Sequence, residues 1–355
     1  MTSLDAAAGP TGSTAERRVD LVLEGGGVKG VALAGALEVL EERGYRVNRV
    51  AGASAGAVAG ALITAGIPAS TIVQILRETD YRRFADGPAW TRFPPGAALS
   101  VLLHQGIHRG ERLRAWIEEQ LTAHGAPGST GTFADLVYRD PDPERTAVSG
   151  PPYRLVVTVS DLSSGRLRYL PTDADDLGTT PETLRVADAV RASTAIPLFF
   201  RPERWTSATG TTSWLVDGGM LSNFPVSVFD RPAGEVPRWP TLGIKLSAKP
   251  EADHGVAHRI TGPLSYGRAV LDTVTGFYDR LHVDASDAVA RTIFIDTDAV
   301  RPTEFDLEEE SREQLYRSGR QAATSFLDGD DDHEPWDFAR YVETFRGGRP
   351  ASSPA

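Results

Sequence analysis

Three observations predict an α/β fold, a three-layer α/β/α sandwich around a mainly parallel sheet. The chain opens with an apolar run, Val19–Leu23, then a helical pattern, then a second apolar run, Val47–Ala51, and then a second helix. Each of these runs ends in a glycine-bearing turn: Gly25-Gly26-Gly27 after the first, Gly52-Ala53-Ser54-Ala55-Gly56 after the second. A strand, a helix and a second strand in that order pair in parallel through a right-handed crossover, which leaves helices to cover the faces of the sheet.

The elements follow in order. The first helix is expected from about Val28 to Arg43, with Leu33, Leu37 and Leu40 on one face and Gly44 placed to end it. The helix after Ser54 carries Gly56, Ala57, Ala59, Gly60 and Ala61, small enough to lie close against a sheet; Gly66 and Pro68 stop it. Further strands are expected at Arg154–Val159, Arg166–Leu170, Trp214–Val216, Thr241–Leu246 and Thr292–Ile295, and helices near Arg185–Ala192, Pro263–His282 and Leu307–Leu327. The segments Ala123–Pro152 and Arg231–Pro240 are rich in Pro, Gly and polar residues and read as surface loops. Trp90, Phe93, Pro94, Pro95, Leu99, Val101 and Leu102 form an apolar stretch without clean periodicity. Core packing is its default reading, and a cap over an acyl channel or a lipid-contacting lid the alternative. The expected organisation is a flexible tail over 1–18, one domain over 19–328, and an acidic, then low-complexity tail over 329–355.

Composition narrows the class. With 355 residues, 41% hydrophobic and 24% charged, the chain can bury one large core. It has no cysteine, which excludes disulfides, thiolate metal sites and a cysteine nucleophile and fits a cytoplasmic protein. The first eighteen residues show no apolar core after a basic start, so neither a signal nor a transit peptide is expected, and no run approaches a membrane span. A formal charge of −11 argues against nucleic acid and against electrostatic capture by anionic lipid. Peripheral, transient contact with a membrane surface would therefore be mainly apolar. The acidic cluster Asp328–Asp332 lacks the alternating ligands of a calcium loop, so no metal and no cofactor are expected.

Three strings carry chemistry. The loop Gly25-Gly26-Gly27-Val28 after a strand presents backbone N–H groups at a helix N-terminus, where they favour an anion. Gly25, Gly27 and Gly30 also satisfy the dinucleotide-binding fingerprint, but that reading needs an acidic residue at the tip of the second strand, which here ends in Ala51-Gly52-Ala53-Ser54. In Gly52-Ala53-Ser54-Ala55-Gly56 a serine stands at a strand-to-helix junction, with Gly52 and Gly56 permitting a cramped turn; the plainer reading is a helix-capping serine. Asp217, followed by Gly218-Gly219, ends a strand and leaves its carboxylate at the sheet mouth; the plainer reading is a turn-forming Asp. A Ser-His-Asp triad could draw on His254, His258 or His282, but only one strand precedes the strand that carries Ser54, too few for an α/β-hydrolase.

In this order the three strings resemble the patatin-like phospholipase family, with Glu24 and Lys29 standing where that family commonly has Asp and Arg. Gly106–Gly110, Ser160–Gly165, Arg191–Pro197 and Asp217–Pro225 also look like the family, so the resemblance runs from about Val19 to Leu327. It implies a serine acyl hydrolase acting on carboxylic esters of lipids, phospholipid or lysophospholipid, through a Ser54–Asp217 dyad. Gly25, Gly26, Gly27 and Val28 would form the oxyanion hole, and Gly52, Gly56, Gly218 and Gly219 would support the turns. Lys29 is expected to support the loop, and Asn223 to brace the Asp217 turn. The alternatives are acyl transfer on the same dyad, or a nucleotide- or lipid-binding module without catalysis. The head group, the pathway and the oligomeric state are not written in the sequence.

Overall fold

A computed structural model describes residues 17–126, 128, 131–140, 148–232, 234–247, 260–262, 265, 266, 269, 273, 286–331 and 334–347. Among them the helices and strands run β1 (Arg17–Leu23), α1 (Gly30–Glu42), β2 (Tyr45–Gly52), α2 (Ala55–Thr64), α3 (Ala69–Glu78), α4 (Pro94–His104), β3 (Gly106–His108) and α5 (Glu111–His124). They continue as β4 (Leu155–Asp161), β5 (Arg166–Leu170), α6 (Val186–Ser193), β6 (Leu198–Phe200), β7 (Glu203–Thr206), β8 (Thr212–Asp217), α7 (Gly219–Ser222) and β9 (Thr241–Lys245). The last are α8 (Ser286–Ala290), β10 (Thr292–Phe294), α9 (Glu309–Asp328) and α10 (Phe338–Tyr341).

The main sheet has the order β10-β9-β1-β2-β4-β8-β7, with β5 also paired to β4. The five strands from β10 to β4 are parallel, and β8, β7 and β5 add antiparallel pairings at one side. Because β2 lies on one side of β1 and β9 on the other, the chain reverses its winding at β1, and a crevice opens at the carboxyl ends of β1 and β2. Both glycine turns lie there.

β1 is buried on both faces: Leu21 and Leu23 face the large core and Val22 the small one, and the charged residue within the run, Asp20, is buried as well. The large core packs the sheet against α1, α2, α3, α5, α6 and α9, and the small one against Phe224, Val226, Phe229 and Ala288 of α8. The expected helix Pro263–His282 and the candidate histidines His254, His258 and His282 lie outside the described residues.

α1 is buried nearly all round because α9 covers the side away from the sheet. The two backbones touch through glycines: a Cβ on Gly319 would stand 2.0 Å from the Ala32 carbonyl oxygen, and one on Gly35 would stand 2.2 Å from that of Tyr316.

Two expectations are corrected. The apolar stretch around Phe93–Leu102 forms α4, whose leucines point outward, so it is not core. The chain beyond Asp328 does not hang free: Trp336 stacks on Phe326 at 5.2 Å, Tyr341 is buried, and Arg346 pairs with Asp230 at 2.9 Å, so apolar and ionic contacts tie residues 334–347 to the domain. Among the described residues no helix is long and apolar enough to cross a membrane.

Candidate active site

Ser54 joins β2 to α2 with φ 48° and ψ −119°, a left-handed conformation costing a side-chain-bearing residue on the order of 1–3 kcal/mol. The surroundings hold it there. Its N–H donates to Ser193 Oγ at 2.9 Å, and the N–H of Gly56 closes the turn onto the Ala53 carbonyl at 2.7 Å. Gly56 cannot carry a side chain, since a Cβ would meet the Leu23 carbonyl oxygen of β1 at 2.2 Å; Gly52 faces the Gly56 carbonyl just as closely. The strain lifts the Ser54 hydroxyl out of the helix and places it at the mouth of the sheet.

Asp217 arrives from the antiparallel side. β4 outruns β2, whose last residue, Gly52, pairs with Val157; β8 runs back along the overhang and ends with Asp217 opposite Val159. That register sets the carboxylate level with the elbow, near enough to the Ser54 side chain for the hydroxyl to pull its pKa down. The Gly219 N–H donates to Asp217 Oδ1 at 2.8 Å, while Gly218 packs on the Thr158 backbone. Burial pushes the carboxyl up from 3.8 to about 6, against the pull of the Ser54 hydroxyl and the Gly219 N–H.

The segment after α6 ties the two halves together. Ser193 Oγ takes the Ser54 N–H, the Ser193 carbonyl takes the Gly218 N–H at 3.3 Å, and the Ala195 carbonyl takes the Asp217 N–H at 3.0 Å. The helix is itself anchored by buried Arg191, whose Nη2 donates to the carbonyls of Arg109 and Arg201 at 2.5 and 2.9 Å. Nothing in the sequence marks Ser193 for this task.

The glycine loop divides unequally among its four expected donors. Val28 donates to the Pro302 carbonyl at 3.1 Å and Gly25 to the Asn223 carbonyl at 3.2 Å, so neither N–H is free. Those of Gly26 and Gly27 have no acceptor among the described residues. Gly27 has φ +56°, and a Cβ there would meet the Pro302 carbonyl oxygen at 1.9 Å. Asn223 Nδ2 donates back to the Gly25 carbonyl at 3.0 Å, so Asn223 clamps the glycine loop as well as following the Asp217 turn.

Beneath the loop, buried Glu24 accepts from Lys245 Nζ and from the Leu246 N–H, tying β1 to the end of β9. Lys29 is half-buried, and desolvation lowers its pKa against the raising influence of Asp298, Glu24 and Asp296. Its charge belongs to this ring of ionic groups.

An aromatic cluster lies on the segments next in sequence to those that hold the loop and Asp217. Phe199, in the strand that follows Ala195, stacks on Phe305 at 5.0 Å, close after Pro302; His108 lies against Phe199 at 4.5 Å. The His108 pKa is lowered by burial, and its Nδ1 accepts the Gly87 N–H at 3.0 Å, which assigns it a structural place. A strained serine, a buried carboxylate beside it and two N–H groups without an acceptor among the described residues on a helix-opening loop are the kinds of groups that acyl transfer requires.

Comparison with known proteins gives the following. The model of the patatin-like phospholipase family matches residues 21–230, which include the glycine loop, the elbow and Asp217. YqhO of Bacillus subtilis strain 168 is 34% identical over 312 residues, covering 87% of this chain and 98% of YqhO. The crystal structure of VipD from Legionella pneumophila is similar in fold, with a TM-score of 0.51 at 17% identity over 88% of this chain and 66% of VipD. The chain thus spans just under two thirds of VipD.

Proposed function

Because the chain belongs to the patatin-like phospholipase family, which supports a lipid hydrolase, we propose that it is a serine acyl hydrolase cleaving carboxylic esters of phospholipids or lysophospholipids through a Ser54–Asp217 dyad. The observation that carries this reading is the placing, by the register of β8 on β4, of a buried carboxylate beside a strained elbow serine, with burial raising the Asp217 pKa to about 6. A carboxylate with an ordinary pKa near 4 is a weak base; one near 6 accepts a proton more readily and is still ionised at neutral pH.

Ser54 Oγ attacks the ester carbonyl carbon as Asp217 takes its proton, and the carbonyl oxygen becomes an oxyanion facing the Gly26 and Gly27 N–H groups. Collapse of the tetrahedral intermediate breaks the bond to the leaving alcohol, which takes the proton from Asp217, and leaves an acyl-serine. Water then adds to the acyl carbon, giving its proton to Asp217. The second collapse releases the fatty acid and returns that proton to Ser54. The aromatic cluster of Phe199 and Phe305 is the apolar surface we assign to the acyl chain.

An alkyl fluorophosphonate is expected to label Ser54 and to abolish hydrolysis of a short-chain ester, and Ser54→Ala is expected to lose both labelling and turnover while keeping its melting temperature. Turnover retained by folded Ser54→Ala overturns the assignment.

A further inference from the structure

Helix α4 is inside out. Ser100 is fully buried, its Oγ bonded to the Gly106 carbonyl at 2.9 Å, while Leu102, Leu103 and Phe93 are 76%, 60% and 69% exposed. Leu99 and Trp90 are exposed as well, and a Cβ on Gly96 would touch the Trp90 ring at 3.1 Å, which places the indole one turn before Leu99. Leu99, Leu102 and Leu103 are spaced three and four apart, so the five side chains form one patch rather than scattered exposures.

The charges beside it differ in sign from the chain as a whole. Arg92, just before α4, and Arg109, just after β3, are exposed and have no carboxylate partner among the described residues. The neighbouring acids are turned elsewhere. Asp86 accepts from the backbone N–H groups of Gly110 and Arg112 at 2.8 and 3.2 Å, and Glu111 pairs with Arg114 at 3.2 Å. In a protein of formal charge −11 this leaves an apolar helix flanked by unneutralised arginines.

We infer that α4 is the surface by which the protein docks on an anionic phospholipid bilayer, with Trp90, Phe93 and the leucines entering the acyl boundary while Arg92 and Arg109 meet the headgroups. An interfacial helix with an apolar face and arginines beside it matches both layers of such a surface, whereas a purely apolar partner would leave the arginines unmatched. This changes the expectation from net charge alone, because lipid phosphates within a Debye length feel the local arginines, and the distant carboxylates are screened. It rests on the lipid-ester reading above for its purpose: α4 joins β3, β3 pairs with β6, and the segment leading from Ala195, which holds the Asp217 N–H, into β6 links α4 to the site.

The test uses full-length Ser54→Ala, so that binding is read without turnover, floated with vesicles of equal parts phosphatidylcholine and phosphatidylglycerol, and with phosphatidylcholine alone. Strong flotation with the anionic vesicles and weaker flotation with the neutral ones is expected. Adding Leu102→Ser and Leu103→Ser should weaken binding to both by about tenfold or more. Adding Arg92→Glu and Arg109→Glu, or raising the salt, should bring anionic binding down to the neutral level. Absence of flotation, equal flotation of all variants, or a leucine variant that alters only the self-association of the protein overturns the proposal. With Ser54 intact, the same four substitutions should leave turnover of a soluble short-chain ester unchanged. Loss of that turnover in folded leucine and arginine variants would show that α4 serves the site itself and would equally overturn docking as its role. The catalytic reading stands or falls separately, on Ser54 labelling.

Discussion

Burial drives the Asp217 carboxyl up to about 6 from 3.8, and the Ser54 hydroxyl and the Gly219 N–H pull the other way without overcoming it. A carboxyl raised on folding stabilises the protein fully below its unfolded pKa, and that stability is lost as pH rises through the folded value. At about 1.4 kcal/mol per pK unit, the ionised dyad costs the fold on the order of 3 kcal/mol above about pH 6. The same pKa should appear in the kinetics, with kcat/KM rising with pH and levelling above about 6 as Asp217 ionises. Asp217→Asn should lower turnover by about 10²–10⁴-fold. It should nonetheless melt higher than the parent at about pH 8, with the gain vanishing near pH 4. Paired melting curves check this; a melting difference that does not change between the two pH values would mean that the carboxyl is not raised.

At the scale of elements, the glycine loop is set at the N-terminus of α1, and α1 is set by α9 behind it. The contact is backbone on backbone at Gly35 and Gly319, so no side chain can yield if either glycine gains a methyl group. Gly319→Ala is expected to push the helices apart and to cost about 1–3 kcal/mol, although alanine favours an isolated helix over glycine. Chemical denaturation measures it; a neutral or stabilising effect would show that the helices separate freely. The glycine pair is absent from the sequence reading because each residue looks, within its own helix, like a mere weakness. The elbow and the Asp217 turn were legible because a strand end, small flanking residues and the chemical group are all local. Ser193 was not, and Asn223 was expected only at the Asp217 turn, since the bonds they make to Ser54 and Gly25 cross 139 and 198 residues.

For the molecule as a whole, the end of the sheet away from the dyad is closed by ions. Asp20 of β1 and Arg49 of β2 form a buried pair at 2.5 Å; Trp239 Nε1 donates to Asp20 at 2.9 Å, and the Arg49 guanidinium lies 4.3 Å from the Phe229 ring centre. Desolvation raises the Asp20 pKa even with Arg49 opposing it. Arg49→Met should therefore cost about 3–5 kcal/mol near neutral pH by stranding the carboxylate. Acidification to the point where Asp20 is protonated should return part of that loss, because its folded pKa, already raised, climbs further without the arginine. Urea denaturation at two pH values tests this, and an equal loss at both would exclude the stranded charge as the cause. By itself the sequence determined the α/β class and the parallel opening and proposed Ser54, Asp217 and the glycine loop as candidates for acyl transfer, because periodicity, glycine turns and charge act over short spans of chain. Only the tertiary structure decided that β8 returns along the overhang of β4 to bring Asp217 to Ser54, that Gly26 and Gly27 rather than Gly25 and Val28 keep their N–H groups unengaged, and that α4 faces outward. Each of these is a question of which distant segment satisfies a hydrogen bond or covers an apolar face, and that is settled when the whole chain packs.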